Sequence, residues 1–199
     1  THPEYWSRKM YYEVKAWVHE RGGKFMYLGG NGLNCEVEFT DEQTMRVKNG
    51  DAQSQWTDGT ESRFHIYNES EANLLGVVFT DPGIMTAAPY QVLDAKHWIF
   101  ANCGVKSGDT FGEASLHERI PGGASGHETD KTSPSSPANV EIVARGINPD
   151  RGGAEIVHYS TNSGGAVYSV GSITYPASIL VDEVVSRITA NVIERFTSI

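Results

Sequence analysis

The residues best equipped for chemistry stand in three places along the chain. Gly29-Gly30-Asn31-Gly32 follows the short run Lys24-Phe25-Met26-Tyr27-Leu28. A glycine-rich loop at the end of a strand lies on the edge of an α/β sheet where ligands bind. Glycines there let backbone N–H groups approach an anion or oxyanion, and Asn31 adds a side-chain donor. Gly122-Gly123-Ala124-Ser125-Gly126-His127-Glu128-Thr129-Asp130 places an imidazole and two carboxylates on one small-residue loop. His127 and Glu128 can serve as acid and base, or as metal ligands. His2, Glu4 and Tyr5 stand where a strand would hand over to the first helix, again at the ligand-binding edge. Each group has a plain structural alternative: a tight turn for the glycines, a turn cap or a pair with Lys131 for the acids, and capping or packing for His2, Glu4 and Tyr5. His65, Tyr67 and Glu69 alternate and would share one face of a strand, as a metal site or as a solvated edge. His97 and His117 are isolated in sequence and read as structural histidines. No Gly-x-Ser-x-Gly or Gly-x-Cys-x-Gly elbow is present, which argues against a serine hydrolase or a working glutamine amidotransferase.

The elements that must position these residues can be read from apolar spacing. Trp6, Met10, Val14, Trp17 and Val18 make a helical stripe over about 4–20, with Pro3 at its start and Gly22-Gly23 at its end. Helix, turn, buried strand 24–28 and glycine loop form the second half of a βαβ unit, whose first strand is expected upstream of Thr1. The chain therefore reads as a domain truncated at its N-terminal side, the C-terminal part of a larger protein. Cys35–Phe39 alternates and pairs with Thr44–Val47 as a hairpin. Further strands are expected at 74–79, 97–100, 155–159 and 166–170, the last two joined by Asn162-Ser163-Gly164-Gly165, with a closing helix at 182–197. Residues 104–138 read as a long, lid-like loop region. One α/β domain over 1–199 follows, three-layered, with a mixed, mostly parallel sheet. Glu128 and the Gly29–Gly32 loop are expected to face one cleft.

Composition narrows the partners. A formal net charge of −9 with no cluster of Lys or Arg excludes a nucleic-acid backbone as the main partner. No apolar run approaches the roughly 18 residues of a membrane span. Cys35 and Cys103 are the only cysteines, in no metal or redox spacing, and read as free thiols.

His2-Pro3-Glu4-Tyr5-Trp6-Ser7 and Tyr27-Leu28-Gly29-Gly30-Asn31-Gly32 resemble the opening of the C-terminal domain of N,N-dimethylformamidase large (beta) subunit-like proteins. The Gly122–Asp130 loop, Gly164-Gly165-Ala166-Val167-Tyr168-Ser169-Val170-Gly171-Ser172-Ile173 and Val185–Val192 are similar in the same order. The resemblance implies a glutamine-amidotransferase-like (flavodoxin-like) fold without the cysteine nucleophile, a preceding all-β domain, a homo- or hetero-oligomeric parent and a cytoplasmic setting. It also implies hydrolysis of a small amide by water activated on a mononuclear iron held by two tyrosines and a glutamate. Under that resemblance Glu128 is base or ligand, His127 moves protons, and Asn31 donates to substrate. Gly29, Gly30, Gly32, His2 and Glu4 line the substrate, and Tyr5 and Glu69 are the metal candidates, with Glu71 the local substitute for Glu69. The chain departs from the family where Leu33-Asn34 replaces an aromatic pair and where 68–73 lacks a Gly-Glu signature. A non-catalytic binding or assembly domain that keeps the fold without the metal is the alternative.

Overall fold

The computed structural model describes residues 3–47 and 69–198. His2, His65 and Tyr67 lie outside the described residues.

The chain runs β1 (Tyr5–Ser7), α1 (Arg8–His19), β2 (Lys24–Tyr27), β3 (Cys35–Phe39), β4 (Met45–Val47), α2 (Ala72–Leu75), β5 (Val78–Thr80), β6 (Ala87–Ala88) and β7 (Tyr90–Val92). It continues β8 (Thr110–Phe111), β9 (Ser125–Gly126), β10 (Thr129–Lys131), β11 (Glu141–Gly146), β12 (Glu155–Ser160), β13 (Ala166–Ser169) and α3 (Glu183–Thr197). The helices start where side chains can satisfy their first N–H groups: Ser7 accepts from Met10 N–H, and Asp182 accepts from Val184 and Val185 N–H. Pro3 lies ahead of β1 rather than in the helix. The strand that enters α1 is thus Tyr5–Ser7, which runs parallel to Cys35–Val37 outside the central sheet. β3 and β4 form the expected hairpin.

The central sheet has six strands in the order β2-β13-β12-β11-β7-β8. β2 runs parallel to β13, and every other neighbouring pair in it is antiparallel. A mixed α/β sheet is therefore present, but the mostly parallel sheet is corrected to a mostly antiparallel one. Alternation along the strands feeds two cores. Val157, Tyr159, Val167 and Tyr27 pack with Tyr11 and Val18 of α1 and Leu74 and Leu75 of α2. Ile156, Tyr168 and Val170 pack with Val185, Ile188 and Val192 of α3. Successive residues of one strand thus support opposite layers.

Two expected strands are corrected. In 74–79 the residues Ala72–Leu75 make a helical turn, Gly76 leaves it in the left-handed region at φ 77°, and only Val78–Thr80 is extended. The run His97–Phe100 is a 3-10 turn, with Phe100 N–H bonded to His97 O and Ala101 N–H to Trp98 O. Within 104–138, β8, β9 and β10 break the long loop; β10 pairs antiparallel with β5, and β9 with β6.

Candidate functional site

β2 delivers the chain into Gly29–Gly32, and β10 delivers Asp130 beneath that loop. The Asp130 carboxylate accepts from Asn31 N–H at 2.7 Å and from the Tyr27 hydroxyl at 3.1 Å. Asp130 is fully buried. Burial, with the charge of nearby Glu128 adding to it, pushes its carboxyl up to about 7 despite those two bonds. Burial and the adjoining Asp130 carboxylate in turn hold the Tyr27 phenol well above its ordinary range. A buried acid whose proton affinity lies near neutrality, bonded to the loop a ligand would meet, is a functional arrangement in the making.

The glycines have a different reason from the one loop chemistry suggests. Positive φ falls on Asn31 (52°) and Leu33 (57°), not on Gly29, Gly30 or Gly32. Gly30 is required by contact: a methyl group there would overlap the Glu128 carbonyl oxygen. Gly32 lies over the Tyr27 ring in the same way. Across the contact, Ile173 N–H donates to Glu128 O at 3.4 Å, and Asp130 N–H to Gly171 O at 2.8 Å. The two sequence motifs are thus packed backbone to backbone. His127 is also in the left-handed region, at φ 67°, pinned by its N–H to Thr86 O and by Met85 N–H to its carbonyl. Three non-glycine residues with positive φ converge here, and such strain persists where the surroundings over-determine it. The His117 ring meets that of His127 edge-on at 5.4 Å.

Glu4 and Tyr5 lie alongside the exit of the loop: Leu33 N–H bonds to Pro3 O, Cys35 N–H to Glu4 O, and Cys35 Sγ to the Glu4 carboxylate. Tyr5 is about half exposed. Glu69 stands elsewhere, against α1. It accepts from the Tyr11 and Tyr12 hydroxyls and from Lys15 Nζ at 2.8 Å. Partial burial alone would raise its carboxyl, but Lys15 and the two phenols hold it below the usual range. Glu71 is the fully buried one, close enough to Tyr27 for its charge to lift that phenol further. Glu36, also buried, lies 3.6 Å from Arg8. The pairing of Tyr27 with Asp130 was not legible in sequence, since nothing in 103 residues of separation announces it.

Comparison with known protein families matches residues 1–186 to the N,N-dimethylformamidase beta subunit-like C-terminal domain. The chain belongs to this family. No curated protein matches it. In this dimethylformamidase-like domain the position after the glycine loop, where an aromatic pair is expected, holds Leu33, fully buried and apolar, and Asn34. The Tyr27 phenol at the loop is held protonated and donates to Asp130. Among the described residues the phenols that meet one carboxylate in pairs are Tyr11 and Tyr12, on Glu69 rather than at the glycine loop.

Proposed function

We propose that the domain hydrolyses the C–N bond of a small, formamide-like amide where the Gly29–Gly32 loop meets His127–Asp130. The observation that carries this is Asp130: a buried acid of near-neutral proton affinity, bonded to both Asn31 and Tyr27, with Glu128 and His127 on the same turn. The family membership supplies the hydrolase setting. The proton transfers fall to the chain's own acids and bases.

Amide hydrolysis needs three services. A base must take a proton from water as its oxygen bonds to the carbonyl carbon, a donor must hold the oxyanion, and an acid must protonate nitrogen as the C–N bond breaks. Glu128, half-buried, takes the first role. The Asn31 Nδ2 amide takes the second, while its buried Oδ1, with no hydrogen-bond partner among the described residues, is placed to accept an N–H from the substrate. A buried polar group of that kind gains most from a ligand. His127 delivers the proton to the departing amine. Gly29, Gly30, Gly32 and Glu4 line the approach, and Asp130 holds Asn31 in its left-handed conformation. The family's description as a beta subunit-like C-terminal domain favours action in an oligomer. No helix among the described residues is long and apolar enough to cross a membrane.

The test is amine release from a panel of small formamides and acetamides, with iron content measured on the same sample. Glu128→Gln is expected to lower kcat by roughly 10²–10⁴-fold while the circular dichroism spectrum is unchanged. The buried Leu33 favours the second reading, a binding domain without turnover. An amide that binds at Asn31 but is never cleaved would establish it.

A further inference from the structure

On the α3 side of the sheet, three residues far apart in sequence converge. Glu141 opens β11 directly opposite His158 of β12, so both side chains stand on one face. Strand β11 then bulges between Ile142 and Ala144. The carbonyl of the intervening Val143 accepts N–H bonds from both Leu93 (2.9 Å) and Asp94 (3.3 Å). That contact pins the turn after β7 to the sheet. His97 N–H then bonds to Asp94 O, and the turn carries His97 onto Glu141.

His158 Nδ1 lies 3.2 Å from Glu141 Oε2, and His97 Nε2 lies 3.5 Å from the same oxygen. One ligand atom from each residue falls within 4.8 Å of the other two. Bonds of about 2.0–2.1 Å to a tetrahedral zinc put neighbouring ligand atoms about 3.3–3.5 Å apart, close to the two distances from Glu141 Oε2, 3.2 and 3.5 Å. We infer that His97, Glu141 and His158 form a site for one divalent transition-metal ion of the zinc class, with its open coordination position toward solvent.

The surroundings suit that ion. Both imidazoles are nearly buried, and Glu141 is more than half exposed, so the donors are held rigidly and the entrance is open. Burial lowers the proton affinity of both rings, leaving them neutral, as metal ligands must be. Trp98 walls the site, 5.3 Å from each histidine ring. Arg195, seated over Trp98, and Lys24 are the cations close enough to affect His158, and Asp94 is the further acid beside His97. Without metal, N–H groups of the two rings donate to Glu141; an ion replaces those protons. His97 must then give up the long, 3.4 Å bond that its Nδ1 accepts from Ile99 N–H. Two imidazoles and a carboxylate with an open position match the ligand set of zinc sites that keep a bound water.

Titrating the intact chain with zinc, and with cobalt(II) as a quencher of Trp98 fluorescence, tests the site. One ion per chain and a raised melting temperature are expected. Glu141→Gln, at an exposed position that cannot threaten folding, should weaken binding by at least about 10-fold, and His97→Gln with His158→Gln should abolish it. Glu128→Gln should leave the affinity unchanged. Zinc affinity that ignores Glu141→Gln, or that falls with Glu128→Gln instead, would overturn the assignment, as would no stoichiometric binding at all.

Discussion

At the scale of the residue, Asp130 is where charge and stability meet. Its folded proton affinity lies near 7, against about 3.9 for a free aspartate. The folded state therefore holds the proton more tightly than the unfolded chain does. The sign follows: this group favours folding fully below about pH 4, and the advantage is lost as pH rises from there to about 7. A difference of roughly three pKa units corresponds to about 4 kcal/mol at most. Asp130→Asn removes the titration and keeps one acceptor for Asn31 N–H. Urea midpoints measured from pH 5 to 8 should fall for the wild type relative to Asp130→Asn. A constant difference across that range would mean that Asp130 titrates as an ordinary acid. The chemical types at the site were legible because Asn31, His127, Glu128 and Asp130 are polar residues among glycines. Glu69 and Glu71 could not be separated in sequence, since two positions of spacing say nothing about which one points inward. Burial separates them: Glu71 is fully buried, and Glu69 stays paired with Lys15 of α1.

At the scale of the element, what was legible followed period and punctuation. β2, β12, β13 and the two long helices carry apolar residues at regular spacing, with glycine, Ser7 or Asp182 at their ends. β11 escaped notice because its bulge at Val143 interrupts the two-residue period on which strand reading depends. Residues 74–79 and 97–100 misled for the opposite reason: a short, largely apolar run fits a buried strand and a helical turn equally well. The mostly antiparallel order was hidden too, since β7 and β8 are too short to leave a pattern. The glycine loop was found, but its contact with the β10 turn makes a separate prediction. Gly30→Ala must displace the Glu128 carbonyl, whereas Gly164→Ala meets open space and only the strain of φ 85°. Gly30→Ala should therefore cost about 1–3 kcal/mol, as overpacking does, and take amide turnover with it. Gly164→Ala should cost only about 1 kcal/mol and leave turnover intact. Chemical denaturation of both variants checks the order, and equal losses would remove the contact as the reason for glycine.

At the scale of the whole molecule, one sheet serves two cores, and this fixes how the chain should come apart. Ile156 and Val157 are adjacent in β12, yet Ile156 belongs to the α3 core and Val157 to the α1–α2 core. Tyr168 and Val167 divide β13 in the same way. The backbone bonds that hold β12 between β11 and β13 therefore belong to both layers at once. Loosening either core frees strand positions that the other core requires, which is the physical condition for a single cooperative transition. Ile188→Ala empties the α3 core and Leu74→Ala the α1–α2 core, at fully buried positions where such truncations cost about 2–5 kcal/mol. Each change should lower one shared urea midpoint without altering its slope. The slope tracks the surface exposed on unfolding, so a reduced slope would signal that one layer had already melted. Trp98 reports on the α3 side and Trp6 on the α1 side; because the chain also carries Trp17 and Trp56, a background keeping only Trp98 and one keeping only Trp6, the other tryptophans changed to Phe, follow each layer separately. Coincident transitions in both backgrounds, for both truncations, are the expected result. Two midpoints, with the α1 side melting independently of the α3 side, would show that the sheet does not transmit stability between its faces.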